Sequence, residues 1–284
     1  MIWALALVLT VRFVARVMGR SVVWQGGTMT PQEREDTALE RLRAIAAEIA
    51  PGRIEHYGPG PDQLIEWYVS GSPVAQPIVL VHGGFFRPSI DRANARPLAR
   101  ALAAELSRPV VLMEYRRVPG SPMETVEDIH AVSDLLEGLE EQPAAWVGHS
   151  AGGTLVLQRA LDPVRPAVPT LALAPVADLR SGLIDDLGNG AIRDWLGTRT
   201  ARKPSRYAHL DPVVLLAALP ERRESIVCVH GVDDLTVPLA QSVGSGLPVA
   251  ELQGAHHFDV IDPQSPFFPD VLRLIRERLG TTAG

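Results

Sequence analysis

Five short stretches of this chain, residues 77–81, 110–113, 144–147, 170–174 and 226–229, are continuously apolar rather than alternating. A strand that reads this way is buried on both faces, because a half-solvated strand would place a polar residue at every second position. Between the runs lie helical patterns at 93–106, 126–139 and 151–161, with another at 238–246 after the last run. Strand, helix, strand, helix is the order of a parallel sheet covered by helices on both sides, since parallel neighbours need a crossover long enough to hold a helix. A final strand is expected at 249–252 and a closing helix at 267–279. The fold class is therefore α/β, with a mostly parallel central sheet.

Upstream of the first run, Leu39, Leu42, Ile45, Ala46 and Ile49 recur at helical spacing within 33–49, and Pro51-Gly52 stops the pattern. Residues 53–57 and 64–69 read as a hairpin around Gly58-Pro59-Gly60-Pro61. The stretch 176–210 breaks the alternation: it is rich in glycine and mixed charge and holds no strand pattern, so it reads as a cap inserted over the sheet. Residues 29–284 are taken as one domain with that cap. Residues 1–28 read as an extension outside it. Their apolar stretch is interrupted by Arg12, Arg16 and Arg20, too soon for the roughly 20 residues a spanning helix needs. The basic residues also follow the apolar stretch, where a secretory signal has them in front. The expectation is that translation starts at Met29, with Thr30 as N-cap, Pro31 at the first helical position and Glu33 closing a capping box.

The chain's 46% hydrophobic and 21% charged residues exclude a disordered or fibrous chain, and its net charge of −6 without a Lys or Arg run argues against a nucleic-acid partner. A lone cysteine, Cys228, cannot form an internal disulfide. The expected partner is a small molecule, not a membrane, in a cytoplasmic protein, with a homodimer left open.

Gly148-His149-Ser150-Ala151-Gly152 stands between the strand at 144–147 and the helix at 151–161. In that setting G-x-S-x-G describes a strained turn that lifts a serine hydroxyl to the end of a sheet, beside helix N–H groups that favour developing negative charge. A serine hydroxyl is a weak nucleophile unless an imidazole takes its proton and a carboxylate orients that imidazole. Downstream, in the order this turn requires, come His230-Gly231-Val232-Asp233-Asp234-Leu235-Thr236-Val237-Pro238 and Gly254-Ala255-His256-His257-Phe258-Asp259. The D-x-x-V-P spacing selects Asp234, and the His-aromatic pair selects His257; Asp233 and His256 stay open as alternatives.

His82-Gly83-Gly84-Phe85-Phe86 follows the strand at 77–81. Its glycines free backbone N–H groups to face an oxyanion. Gly84 and Phe85 are the expected donors with Gly83 in reserve, and the N–H of Ala151 completes the hole. Phe86, Trp195 and Tyr207, with Phe85, are candidates to line a substrate pocket.

With these residues in hand, the chain from about residue 53 to 279 resembles the α/β-hydrolases, and more narrowly the branch of kynurenine formamidase and related small esterases. The shared marks are His82-Gly83-Gly84 before aromatics, Glu114-Tyr115-Arg116-Arg117, Gly148-His149-Ser150-Ala151-Gly152-Gly153, Ala174-Pro175-Val176-Ala177-Asp178-Leu179 and His257-Phe258. Phe86 stands where that branch commonly has Trp. The resemblance implies hydrolysis of a small ester or N-formyl amide without metal or organic cofactor. A silent binding protein on this fold would be expected to lack a triad member, and a peptidase would need more chain than this short cap to select peptides.

Overall fold

The apolar runs form five of the six inner strands of an eight-stranded sheet in the computed structural model, which describes residues 29–70, 75–139, 142–197 and 207–280. The chain divides into two units, Met1–Arg34 and Glu35–Gly284. Of the first, residues 29–34 are described, and they hold a capping box. Thr30 Oγ1 accepts from the Glu33 N–H at 3.2 Å and Glu33 Oε2 accepts from the Thr30 N–H at 2.7 Å, satisfying two donors that a helix start leaves open. The expectations for residues 1–28 lie outside the described residues.

In the second unit the elements run helix α1 (Pro31–Ala46, entered from the first unit), β1 (Arg53–His56), β2 (Leu64–Tyr68), β3 (Ile78–Val81), α2 (Arg96–Leu106), β4 (Val110–Met113), α3 (Pro122–Gly138), β5 (Ala145–His149), α4 (Ala151–Ala160) and β6 (Thr170–Leu173). They continue with α5 (Leu179–Ile184), α6 (Ala191–Leu196), α7 (Pro212–Ala218), β7 (Ile226–Gly231), α8 (Ala240–Val243), β8 (Val249–Leu252) and α9 (Phe268–Arg278). The sheet order is β1-β2-β4-β3-β5-β6-β7-β8; β1 and β2 pair antiparallel, as do β2 and β4, and all other pairs are parallel. The carboxyl ends of β3, β5, β7 and β8 therefore share one edge.

Alternation within the inner strands divides the core in two. Val79 and Val81 join Trp146, Leu155 and Ile129 on one face, while Ile78 and Leu80 join Leu42, Leu98, Val271 and Ile275 on the other. Each such buried aliphatic side chain contributes about 1.5–3 kcal/mol relative to exposure. Helix α4, directly behind the G-x-S-x-G turn, is buried on every side. Its polar side chains reach loop carbonyls instead of water: Thr154 donates to Val176 at 2.8 Å, Gln158 to Leu210 at 2.6 Å and Arg159 to Pro166 at 2.8 Å.

Element ends differ from the sequence reading where proline and glycine act. Pro122 opens α3 four residues before its apolar pattern begins, because proline is pre-set for a first helical turn. Pro97 cannot donate into a preceding turn, so the pattern from 93 is a 3-10 turn at Arg92–Ala95 and only then helix. The pattern at 238–246 shrinks to the four residues of α8. Between β6 and β7 the described residues carry α5, α6, a 3-10 turn at Ala208–Leu210, α7 and a 3-10 helix at Pro220–Ser225. No helix among the described residues is long and apolar enough to cross a membrane.

Candidate active site

Ser150 follows β5 and precedes α4 with φ 54° and ψ −118°, a conformation that L side chains rarely adopt. Two neighbours hold it there: its N–H donates to the Leu173 carbonyl at 2.8 Å, and its carbonyl accepts from the Thr154 N–H at 3.2 Å. The turn is possible only with bare backbone on either side. A Cβ at Gly148 would lie 2.2 Å from the Gly152 carbonyl oxygen, and one at Gly152 would lie 2.2 Å from that of Val81. Since α4 opens at Ala151, the Ala151 N–H is one of those a helix start leaves without an internal acceptor.

The loop after β3 lies against this turn. A Cβ on Gly83 would come within 3.0 Å of the Ser150 Cβ. Gly84, Phe85 and Phe86 follow with φ of 123°, 51° and 56°. The loop is tied down beneath by Glu114. Its carboxylate accepts from His82 Nε2 at 2.9 Å, from the N–H groups of Tyr115 and Arg92 at 3.0 Å each, and from the guanidiniums of Arg92 and Arg117. Burial pushes that carboxyl up, but His82 and Arg117 outweigh it and hold it well below the usual range. His82 is itself buried, stacks on Tyr115, and gives its carbonyl to the Tyr115 hydroxyl at 2.9 Å.

Asp234 and His257 come from the loops after β7 and β8 and meet through Oδ2 and Nδ1 at 2.7 Å. The Asp234 carboxylate also accepts from the Val237 N–H at 2.7 Å, while His230 Nε2 lies 3.3 Å from Oδ2. Burial raises the carboxyl, but His257 and these hydrogen bonds outweigh it and hold it well below the usual range. Of the two doublets, Asp233 is exposed and His256 is turned towards Asp259, its Nδ1 accepting from the Phe258 N–H at 3.2 Å. His257 is gripped at its carbonyl as well, 3.1 Å from His149 Nε2. A carbonyl only accepts, so that nitrogen carries the hydrogen, and burial followed by the neighbouring His257 keeps His149 neutral by holding its pKa well below the usual value.

Ser150, His257, Gly83, Gly84 and Phe85 line one cavity of about 220 Å³. Its apolar walls are Leu39 of α1, Phe85, Ile90, Phe258 and Ile261. Phe86, Trp195 and Tyr207 do not line this cavity. Phe86 and Trp195 stack face to face at 3.9 Å, the Trp195 indole N–H donates to Thr125 Oγ1 at 3.1 Å, and Tyr207 is buried in the same core. A tryptophan whose N–H finds a buried acceptor is satisfied as a core residue. Part of the wall, Leu39, comes from α1, to which the sequence reading gives no part in the site. Nor does that reading give a role to Glu35. It lies on the buried stripe Glu35, Ala38, Leu42 and Ala46 of α1, and a carboxylate at helical spacing from an apolar stripe was the available signal. Among the described residues no group of three or more His, Cys, Asp or Glu side chains could hold a metal ion.

No protein of curated function matches the chain. Among solved structures it is similar to an inhibited esterase B from Lactobacillus rhamnosis, at 17% identity and a TM-score of 0.62, covering 88% of this chain and 94% of that one. It is also similar to an esterase/lipase from an uncultured bacterium (18%, TM-score 0.63, 96% and 98% covered) and to a putative thioesterase from silicibacter sp. (19%, TM-score 0.54, 89% and 97% covered). These likenesses are likenesses of fold. The model of the alpha/beta hydrolase family matches residues 78–268, the stretch that holds β3 to β8 together with Ser150, Asp234 and His257, and the chain belongs to that family.

Proposed function

We propose that this protein is a serine hydrolase that cleaves a small carboxylic ester or N-formyl amide. The observation that carries the proposal is the 2.7 Å bond from Asp234 to His257, on the same cavity as a serine held at φ 54°. Asp234 accepts at Nδ1 of His257, so the free Nε2 is left to take the Ser150 proton as Oγ attacks the carbonyl carbon. The tetrahedral oxyanion is held by the N–H of Ala151 with those of Gly84 and Phe85, Gly83 giving room for close approach. His257 returns the proton to the leaving alcohol or amine, an acyl-enzyme forms on Ser150, and water repeats the sequence to release the acid.

The cavity walls are apolar and the volume modest, which supports a short acyl group; the formyl group is the smallest, and the resemblance to kynurenine formamidase makes N-formylkynurenine the first amide to try. The esterase and thioesterase relatives support an ester. The test is labelling by a fluorophosphonate, followed by kcat/KM for p-nitrophenyl esters from acetyl to decanoyl and for N-formylkynurenine. Labelling of wild type but not of Ser150→Ala is expected, with turnover greatest for the short acyl groups. Ester cleavage with no activity on the formamide would leave a small carboxylesterase as the better description.

A further inference from the structure

We infer that Glu35 is a positioning residue for the Asp234–His257 pair, its buried carboxylate joining the loop of the acid to the loop of the base. Glu35 is fully buried on the inner side of α1. Its Oε1 accepts from the Leu235 N–H at 2.8 Å and from the N–H of His257 at 3.3 Å, and its Oε2 accepts from the Thr236 hydroxyl at 2.6 Å. Leu235 and Thr236 are the two residues after Asp234, and the third donor is the backbone of His257 itself. One carboxylate thus spans the two loops whose side chains meet at 2.7 Å.

Among the described residues no Arg, Lys or His side chain forms an ion pair with Glu35; its hydrogen-bond donors are two amides and a hydroxyl. Burying a carboxylate costs several kcal/mol unless its lone pairs are filled. An apolar residue would continue the stripe of Ala38, Leu42 and Ala46 without that cost. What the carboxylate adds is a tie that an apolar side chain cannot make. His257 is then held at three points: its N–H by Glu35, its carbonyl by His149, and its ring by Asp234. Removing the first frees the base loop and the acid loop together.

The inference rests on the hydrolase reading above, so its test carries Ser150→Ala beside it. Glu35→Met keeps the volume and removes every acceptor. In Glu35→Gln the amide oxygen still accepts from both backbone N–H groups, and the amide N–H₂ donates to Thr236, whose hydroxyl accepts equally well. The measurements are kcat and KM on a short aryl ester at a temperature where circular dichroism shows each variant folded. Glu35→Met is expected to lose about 10²-fold in kcat with KM little changed, the scale of a displacement of about 1 Å in catalytic geometry. Glu35→Gln is expected to stay within about threefold of wild type, under 1 kcal/mol. A folded Glu35→Met with wild-type kcat, beside a silent Ser150→Ala, overturns the role of Glu35 and leaves the hydrolase standing, as does a Glu35→Gln as impaired as Glu35→Met. An active Ser150→Ala overturns the hydrolase reading and Glu35's role with it. Should Glu35→Met not fold, Thr236→Val decides: it cuts one of the three ties at constant shape, and a kcat at the wild-type value refutes the inference while a loss of about fivefold or more upholds it.

Discussion

The turn at Ser150 and the pair Asp234–His257 sit on one edge of one sheet and are held by opposite means. Backbone packing holds the turn. Its positive φ, its bond to Leu173 and the bare α-carbons of Gly148 and Gly152 all lie within the turn or on the strand beside it. Side chains from far along the chain hold the pair: Glu35 is 222 residues from His257, and His149 is 108. A structure made by sterics tolerates no added atom, whereas one made by hydrogen bonds can lose a bond and keep its shape. Damage to the first should therefore appear in folding and damage to the second in rate.

The largest effects test the shared chemistry. Ser150→Ala should remove turnover by about 10⁶ in kcat while the protein folds normally, because a small hydroxyl at a turn leaves no cavity behind. His257→Ala should match it. Asp234→Asn should cost about 10⁴, since the amide cannot hold the imidazole in its working tautomer, and its circular dichroism should be that of wild type. Gly152→Ala is the counterpart on the steric side. Its methyl would fall 2.2 Å from the Val81 carbonyl oxygen and 2.4 Å from that of His82, both backbone, so a loss of about 3 kcal/mol in urea unfolding is expected. A Gly152→Ala of wild-type stability, or an Asp234→Asn that fails to fold, would break the contrast between the two regions.

The same contrast explains what could be read beforehand. Strands buried on both faces announce themselves as unbroken apolar runs, and five of the six inner strands, β3 to β7, are present within a residue or two of where the runs lie. The turn is legible because its constraints are local: five consecutive residues between a strand and a helix state the need for bare backbone. Asp234 and His257 could be narrowed only to doublets, since adjacent residues share a loop and which one turns inward depends on partners elsewhere. Burial of Asp234 against an exposed Asp233, and the turn of His256 towards Asp259, are the facts that separate them. The cavity wall was the least legible part. Aromatic side chains near the glycine loop suggest a pocket as readily as a core, and Phe86, Trp195 and Tyr207 are core. Leu39 lies more than a hundred residues from Ser150, on a helix whose apolar face looks like any other.

Acid sensitivity probes the two sides together. Asp234 beside His257, and Glu114 beneath the glycine loop, are both held below the usual carboxylate range. Each binds its proton less readily folded than unfolded, so the stability it contributes is fully present above the unfolded values near 4 and fades as pH falls towards the lowered folded ones. Stability measured by urea unfolding should therefore drop steeply on going below about pH 4. Asp234→Asn and Glu114→Gln should each flatten that slope. An unchanged slope in both variants would mean that neither carboxyl titrates differently on folding.

The smallest expected effect concerns the cavity wall, and it asks whether α1 or the segment between β6 and β7 shapes the acyl site. Wild type should prefer acetyl and butyryl esters to octanoyl by about tenfold or more, since a single misfitting methylene in an apolar pocket already costs about 1–3 kcal/mol. Leu39→Ala removes side-chain volume from one wall of the cavity. It should raise kcat/KM for octanoyl relative to acetyl by several-fold, with each further methylene that enters the enlarged space contributing about 0.8 kcal/mol. Tyr207→Phe, in the core and away from the wall, should leave that ratio where it was. Leu39→Ala acts on binding of the chain and not on the Asp234–His257 bond, so the effect should divide out of any comparison made on acetyl ester alone. A wild-type optimum at eight carbons or more, or an acyl ratio that moves with Tyr207→Phe and not with Leu39→Ala, would return the acyl site to the residues between β6 and β7 and take α1 out of it.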